Sequence, residues 1–193
     1  MQFALRNVSP VEANCTFSIF SEGTMVKNND TVLYGVHGVC KVSDTVKKRV
    51  GKEDKEYYVL RPVFDQTTVL YVPTWNEQLT AKLRRILSAE EIYAMIRSMP
   101  DEELLWVENE NDRKRIYQEA LVSGEREQLV RLIKTLHVRQ QKRLEQKKAL
   151  LLSDERFMKE AERILYEEFA YVLKIDRDQV LPLIMQEIQV EEK

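Results

Sequence analysis

The sequence predicts an α+β chain, with a small, strongly bent N-terminal β-barrel followed by an all-α helical domain. Four of the five glycines lie before residue 52 and three of the five prolines before residue 74, so turn-forming residues concentrate in the first third. From Ser88 onward, apolar residues recur with the 3.6-residue period of amphipathic helices. The chain has 193 residues, 44% of them hydrophobic, which is enough to bury a sizeable core.

The β-domain is predicted from four runs of β-branched and aromatic residues. Gly35, the stretch 47–55 and Asp65-Gln66 separate these runs and are expected to form the turns. Four or five short strands at such intervals are typical of a small barrel. The runs are residues 31–34, 39–42, 57–60 and 67–72.

The helical domain is predicted to begin at Ser88, because Ser88 and Glu91 have the spacing of a capping box. This helix should run to about Met99 and stop at Pro100. Further helices are expected at about 110–122, with Gly124 just past the end, at about 125–147, from a cap at Ser153, and, short and last, from a cap at Asp178.

These elements divide the chain into four segments. We expect a β-domain at residues 25–76, a linker at residues 77–87 and a helical domain at residues 88–190, preceded by an N-terminal extension, residues 1–24, that a family resemblance implies.

Charge is distributed unevenly along the chain. The formal net charge of −2 excludes a uniformly basic nucleic-acid-binding protein, although not a basic patch. Residues 101–112 carry six acidic and no basic side chains, whereas residues 113–148 carry eleven basic and four acidic ones. On the third helix, Arg131, Lys134, Arg139 and Lys142 lie opposite the apolar face. This surface is either an ordinary solvated helix face or a phosphate-binding surface.

No signal for catalysis or for a metal site is present. The sequence contains no nucleophile elbow, phosphate-binding loop, dinucleotide-binding motif or zinc-protease motif. Cys15 and Cys40 form no CxxC pair, His37 is expected to be structural, and His137 is expected at the surface. The prediction is therefore a protein that is not an enzyme, with no cofactor, no metal and no small-molecule substrate. Because no apolar stretch could span a membrane and no secretory signal is recognisable, the protein should be soluble and cytoplasmic. We also expect it to be a bacterial protein.

The two tryptophans have different contexts. Trp75 follows the last predicted strand and is expected to pack between the domains. Trp106 lies between the acidic stretch and the basic run at Arg113. It is either a core residue of the helical domain or an exposed aromatic side chain suited to stacking on, or wedging between, bases.

Residues 30–39, Asp-Thr-Val-Leu-Tyr-Gly-Val-His-Gly-Val, resemble the opening of the CarD family of transcription regulators. Glu56–Leu60 and Val72-Pro73 continue its β-domain pattern, and Leu83-Arg84 resembles the linker that follows. Residues 123–125, 132–136 and 161–165 are similar to its helical domain in order and spacing. The resemblance covers about residues 25–175. It departs at Asn29, where the family has glycine, at Gly35, where it has proline, and at Glu110, where it has the DNA-inserting tryptophan, so Trp106 lies one helical turn earlier.

The resemblance implies a Tudor/SH3-like barrel that docks on the RNA polymerase β subunit. It also implies a helical domain that contacts promoter double-stranded DNA, without reading its sequence, at the upstream edge of the melted region, shifting open-complex stability. The implied polymerase-binding residues are Lys48, Arg49 and Tyr71. The implied DNA-binding residues are Trp106, Arg113, Lys114, Arg115, Arg131 and Lys134. The alternative is an interaction adaptor that has the barrel but no role at DNA, whereas the related repair translocase is excluded by the missing phosphate-binding loop.

The resemblance also sets residues 1–24 apart, because family members begin near Met25. An upstream-extended start assignment is one expectation, since Glu22-Gly23 would be encoded by a sequence similar to a ribosome-binding site. A disordered or lineage-specific extension is the other, and the intact mass of the native protein would distinguish them.

Overall fold

The computed structural model describes residues 26–65 and 67–191, so the predicted extension 1–24 lies outside the described residues. Five strands come first, with one short helix before the last of them, and five longer helices follow. The strands are β1 Thr31–Tyr34, β2 Val39–Val50, β3 Glu53–Pro62, β4 Leu70–Pro73 and β5 Leu83–Arg85. The helices are α1 Glu77–Thr80, α2 Ala89–Ser98, α3 Glu110–Ser123, α4 Arg126–Glu145, α5 Leu152–Leu173 and α6 Arg177–Glu191, and short 3₁₀ turns occupy Gly35–His37 and Met99–Asp101.

The strands form one antiparallel sheet in the order β4-β3-β2-β1-β5. β4 and β5 lie at opposite edges and do not pair with each other, so the α+β prediction is confirmed and the predicted barrel is an open sheet. A register shift between Val42 and Asp44 interrupts the β2–β3 ladder. The sheet has its own buried core, which includes Val32, Cys40, Val42, Leu60 and Val72.

Residues 47–55, predicted to separate two strands, instead form the outer part of a long two-stranded ribbon. β2 continues to Val50, and β3 resumes at Glu53 after a turn at Gly51, whose φ is +66°. Two facing pairs on this ribbon carry opposite charges, Lys47 with Glu56 and Arg49 with Asp54, although Lys48 faces Lys55. Cross-strand pairs of opposite charge stabilise an antiparallel ladder. A charged stretch whose composition is typical of a turn can therefore extend the two strands.

Residues 77–87, predicted to be a linker, contain secondary structure. Asn76 caps the short helix α1 by accepting a hydrogen bond from the backbone of Leu79. β5 then pairs with β1, placing Val32 opposite Arg85 and Tyr34 opposite Leu83. This segment therefore belongs to the sheet, and the chain crosses to the helices only after Arg85.

Two of the predicted helix boundaries are confirmed by their capping geometry. The backbone of Glu91 donates to the Ser88 hydroxyl at 3.2 Å, and the Glu91 carboxylate accepts from the Ser88 backbone at 2.8 Å, which completes the capping box. α3 ends at Gly124, whose φ of +61° is the left-handed conformation that glycine adopts without strain.

Two other predicted caps are wrong. α5 begins at Leu152 with Leu151 at its N-cap position, so Ser153 lies inside the first turn. α6 begins at Arg177, one residue before Asp178, and runs for 15 residues through Pro182 rather than being short. The buried core of the helical domain joins α2 to α6 and includes Ile96, Tyr117, Leu132, Ile164 and Phe169.

Candidate functional site

The outer part of the sheet carries a surface of lysine and aromatic side chains. The Lys48 ammonium lies 3.2 Å from the centroid of the Tyr71 ring, and the Lys55 ammonium lies 5.2 Å from that of Trp75. Trp75 also packs edge-on against Tyr57, with ring centroids 4.8 Å apart. We call Lys48, Lys55, Tyr57, Tyr71 and Trp75 the ribbon face.

Two sequence predictions about the ribbon face can be compared with its geometry. Lys48 and Tyr71, both predicted as polymerase-binding residues, lie together, and Tyr71 is 47% exposed. Arg49 is exposed next to Lys48, but successive strand residues point to opposite faces, so Arg49 lies on the other side of the ribbon. Trp75 is 47% exposed and packs within the sheet, so the prediction that it lies between the domains is wrong.

Strand β4, which carries Tyr71, is an edge strand. Its outer side pairs with no other strand among residues 26–65 and 67–191. An edge strand presents unpaired N–H and C=O groups that another chain can join, while neighbouring side chains provide selectivity. The ribbon face and the β4 edge therefore form a continuous surface suited to protein docking.

Trp106 lies in the irregular segment between the Met99–Asp101 turn and α3. Its side chain is 37% exposed, and it is absent from the buried core of the helical domain. The indole N–H donates to the Glu108 carboxylate at 2.7 Å. The structure thus decides between the two alternatives for Trp106 in favour of an indole that is accessible at the surface.

Two cations from α4 flank the Trp106 ring. The Lys142 ammonium lies 4.3 Å from the ring centroid and the Arg139 guanidinium carbon 5.3 Å from it, both within cation–π range. Next to them, Leu105 donates its backbone N–H to the Thr135 hydroxyl at 2.8 Å, which fixes the loop on α4. We call Trp106, Arg139 and Lys142 the indole site.

Helical spacing predicts that Arg139 and Lys142 lie on the solvent-facing side of α4, and Lys142 is exposed as predicted. The Arg139 side chain is only 15% exposed, because it pairs with the buried Asp154. Arg139 and Lys142 are three positions apart, so they are neighbours on one side of α4. What this spacing could not reveal is that Trp106, 33 residues before Arg139, lies over this part of the helix.

Beneath the indole site, Asp154 at the start of α5 binds two arginines. Its carboxylate lies 3.5 Å from Arg113 Nε on α3 and 3.3 Å from Arg139 Nε on α4. Asp154 is fully buried, and the Arg113 side chain is only 2% exposed. This buried charge cluster connects three helices and supports one of the two cations against Trp106.

Arg113 was predicted to bind DNA phosphate, and the structure corrects this. Its guanidinium group donates to the Glu108 carbonyl at 3.3 Å and pairs with Asp154 inside the protein. At helical spacing, Arg113 shares one face with Tyr117, Ala120 and Leu121, all of them buried. A buried guanidinium group cannot neutralise a phosphate at the surface, so Arg113 is a structural residue.

The remaining predicted DNA-binding residues are each engaged by an acceptor within the protein. Lys114 and Arg115 line an open groove of about 1310 Å³ between α3, α5 and α6, and each pairs with an acidic residue one turn away on α3, Glu110 and Glu119. Arg131 pairs with Glu102 at 2.7 Å.

Lys134 is also engaged within the helical domain. Its ammonium group donates to the carbonyls of Pro100 and Glu102, the latter at 2.6 Å. Arg131 and Lys134 therefore attach the segment before Trp106 to α4, rather than standing free for a phosphate.

The described residues contain no arrangement typical of catalysis. No group of three or more His, Cys, Asp or Glu side chains within residues 26–65 and 67–191 could hold a metal ion. Burial raises the pKa of the Cys40 thiol to about 12, so it is protonated at neutral pH and is not a nucleophile. His37 stacks on Tyr34, and burial, followed by the charge of Arg163, lowers its pKa. Among the helices described, none is long and apolar enough to cross a membrane.

Both halves of the chain match models of known families. Residues 26–87 match the CarD-like/TRCF RID domain, and residues 91–185 match the CarD C-terminal domain. No curated protein matches the chain. An open antiparallel sheet joined to a helical domain, each matching its own family model in order, defines an RNA polymerase-interacting transcription regulator. The chain belongs to the CarD-like family.

Proposed function

We propose that this regulator binds the polymerase β subunit through the ribbon face and the β4 edge, and contacts promoter DNA through the indole site. It acts in the bacterial cytoplasm, where it stabilises or destabilises open promoter complexes. The observation that carries the proposal is the exposed Trp106 ring in the helical domain, with Arg139 and Lys142 within cation–π distance of it.

The polymerase-binding half of the proposal rests on the chemistry of the sheet. A partner strand added at β4 would gain main-chain hydrogen bonds, and the exposed rings of Tyr71 and Trp75 would supply apolar contact area. Aromatic side chains often dominate the binding energy of protein interfaces. In this proposal the bulged sheet with its long ribbon is the family's Tudor-like module in an open form.

The DNA-binding half rests on the indole site. Lys142 is exposed, as are Lys147 and Lys148 just beyond the end of α4, so phosphates can approach Trp106 from this side. Such contacts position the protein on DNA without reading its sequence. An indole inserted at a base step offsets part of the cost of unstacking, which is a few kcal/mol per step, and so favours DNA that is already opening.

Acidic side chains close to Trp106 limit binding to free DNA. Glu103, Glu108, Glu110 and Asp112 are all exposed in the same stretch, and Glu108 accepts the indole hydrogen bond. These charges repel phosphates, so the affinity for DNA alone should be low. Attachment to polymerase then supplies a high effective concentration of promoter DNA.

A difference in affinity for open and closed complexes is sufficient for regulation. A ligand shifts an equilibrium only by its differential affinity for the two states. A preference of about 1.4 kcal/mol changes the population ratio about tenfold. The regulator therefore needs no catalytic step.

The test is the substitution Trp106→Ala. Stacking of an aromatic ring on a base contributes about 1–3 kcal/mol. The wild-type protein should therefore change the lifetime of open complexes about fivefold or more, in either direction, and the variant should lose this change while still binding polymerase. The measurement is the lifetime of open complexes after addition of a DNA competitor, together with a pull-down on the β subunit.

Trp75→Ala is the matched control, because Trp75 is also an exposed tryptophan but lies on the ribbon face. It should weaken the pull-down and leave the indole site intact. If Trp106→Ala keeps its full effect on promoter complexes, the adaptor without a role at DNA is the better description.

A further inference from the structure

The sheet and the helical domain meet through polar contacts at several separate places. At the point where the chain leaves the sheet, Arg126 at the start of α4 and Glu168 on α5 form a bidentate ion pair, with both N–O distances 2.7 Å. Arg126 also donates to the carbonyl of Arg85, the last residue of β5, at 2.6 Å. Glu168 accepts the backbone N–H of Leu87 at 3.0 Å. We call this set the Arg126–Glu168 clamp.

The clamp is buried, and its polar groups are matched. Glu168 is fully buried and the Arg126 side chain is 9% exposed. A buried ion pair seldom increases stability relative to apolar residues of similar size, but it does require one geometry in which every donor and acceptor is satisfied. Here that geometry includes two backbone groups of the crossing segment, so the pair specifies the direction in which the chain leaves the sheet.

A second attachment lies further along α5. Arg163 donates to the carbonyl of Val36, in the turn between β1 and β2, and also to the carboxylates of Glu160 and Glu167. A Cβ added at Gly38 in the same turn would lie 2.7 Å from Glu167 Oε2. The turn therefore fits closely against this face of α5.

Two further attachments complete the junction. The Tyr171 hydroxyl on α5 lies 3.2 Å from the Thr31 hydroxyl on β1. At the end of α3, a Cβ added at Gly124 would lie only 2.9 Å from Gly35 Cα, so the two backbones are in direct contact.

The attachments are separated along the helical domain. Residues 163 and 171 are eight positions apart on α5, which is about 12 Å at a rise of 1.5 Å per residue, and Gly124 follows the last residue of α3. Of these attachments, the Arg126–Glu168 clamp is the one that ties α4 and α5 together to the segment where the chain leaves the sheet.

We infer that the Arg126–Glu168 clamp is a positioning device that holds the ribbon face and the indole site in one fixed relative orientation. This inference rests on the proposed function, since it concerns how the two surfaces cooperate. With the orientation fixed in advance, binding at the second surface does not have to order the two domains. Arg126 and Glu168 contact neither proposed partner.

The test combines calorimetry with the promoter-complex assay. The wild-type chain should unfold in a single cooperative transition, because the sheet and the helices are coupled. Glu168→Gln keeps the shape but removes the charge, and should split the transition into two. The surfaces that contact polymerase and DNA are unchanged in this variant. If only about one tenth of its molecules keep the productive orientation, its effect on open complexes falls about tenfold.

Arg84→Ala is the matched control. Arg84 pairs with Glu125 across the same junction at 3.2 Å, but Glu125 is half-exposed. A pair in solvent contributes little, so this variant should keep both the single transition and the wild-type effect on open complexes.

If Glu168→Gln does not fold, Arg126→Lys replaces it, because lysine keeps the counter-charge but not the bidentate geometry. A single transition and an unchanged effect on open complexes in the folded variant would overturn the inference. A wild-type protein without effect on open complexes would instead reject the proposed function, and calorimetry would still report on the clamp.

Discussion

Replacing Asp154 with alanine should destabilise the chain by about 3–5 kcal/mol, the usual cost of removing one partner from a buried ion pair. Asp154 is fully buried between Arg113 and Arg139, whose side chains are 2% and 15% exposed. Without the carboxylate, two positive charges would be left inside the helical domain with no counter-ion. The measurement is the free energy of unfolding from urea denaturation monitored by circular dichroism.

Glu119→Ala provides the comparison for Asp154→Ala. Glu119 pairs with Arg115 on the surface of α3, and both side chains are about 60% exposed. Removing an exposed pair of this kind should change stability by about 0.5 kcal/mol or less. An Asp154→Ala variant within about 1 kcal/mol of the wild type would show that the buried charge cluster is not organised as described.

Replacing Gly124 with alanine should destabilise the chain by about 2–4 kcal/mol, the sum of two costs. The φ of +61° is unfavourable for any residue with a Cβ. In addition, the new Cβ would lie 2.9 Å from Gly35 Cα, and both atoms are attached to backbone that cannot simply rotate away. The same urea titration measures the effect.

Gly51→Ala separates these two costs. Gly51 has a similar φ of +66°, but no atom lies within 4 Å of an added Cβ at the tip of the ribbon. This variant should therefore show only the conformational cost, about 1–2 kcal/mol. Equal losses of stability in the two variants would mean that a Cβ at Gly124 meets no steric cost against Gly35.

Local signals in the sequence were sufficient for several elements. The Ser88 capping box and Gly124 were both recognisable because a helix end depends on residues within about one turn of it. The failure at α5 has the same origin. Leu151 occupies the N-cap position and makes no side-chain capping hydrogen bond. Ser153 was predicted instead, because serine is a preferred N-cap residue.

Elements that depend on distant partners could not be predicted in this way. β5 is recognisable only from its pairing with β1, about 50 residues earlier in the chain. The charged outer ribbon is stabilised by cross-strand pairs that no single strand reveals. The number and spacing of the strands predicted a small barrel, whereas the degree of closure depends on whether the two edge strands meet, and here they do not.

In the candidate site, too, some features follow from local spacing and others depend on residues that are distant in the sequence. Arg113 was grouped with Lys114 and Arg115 because the three are adjacent in the sequence, yet helical spacing places Arg113 with Tyr117 on the buried face. That signal was available in the sequence. Its partner Asp154 is 41 residues away, and the position of Trp106 over Arg139 is equally non-local, so neither contact could be read from spacing alone.

We expect Trp106 to reach promoter DNA only when polymerase holds the protein. A photocrosslinking amino acid in place of Trp106 tests it directly, with promoter DNA present alone or together with polymerase. Crosslinks should form at the upstream edge of the melted region when polymerase is present, and few should form on free DNA. Equal crosslinking of free DNA, or none in a complex that contains polymerase, would contradict it.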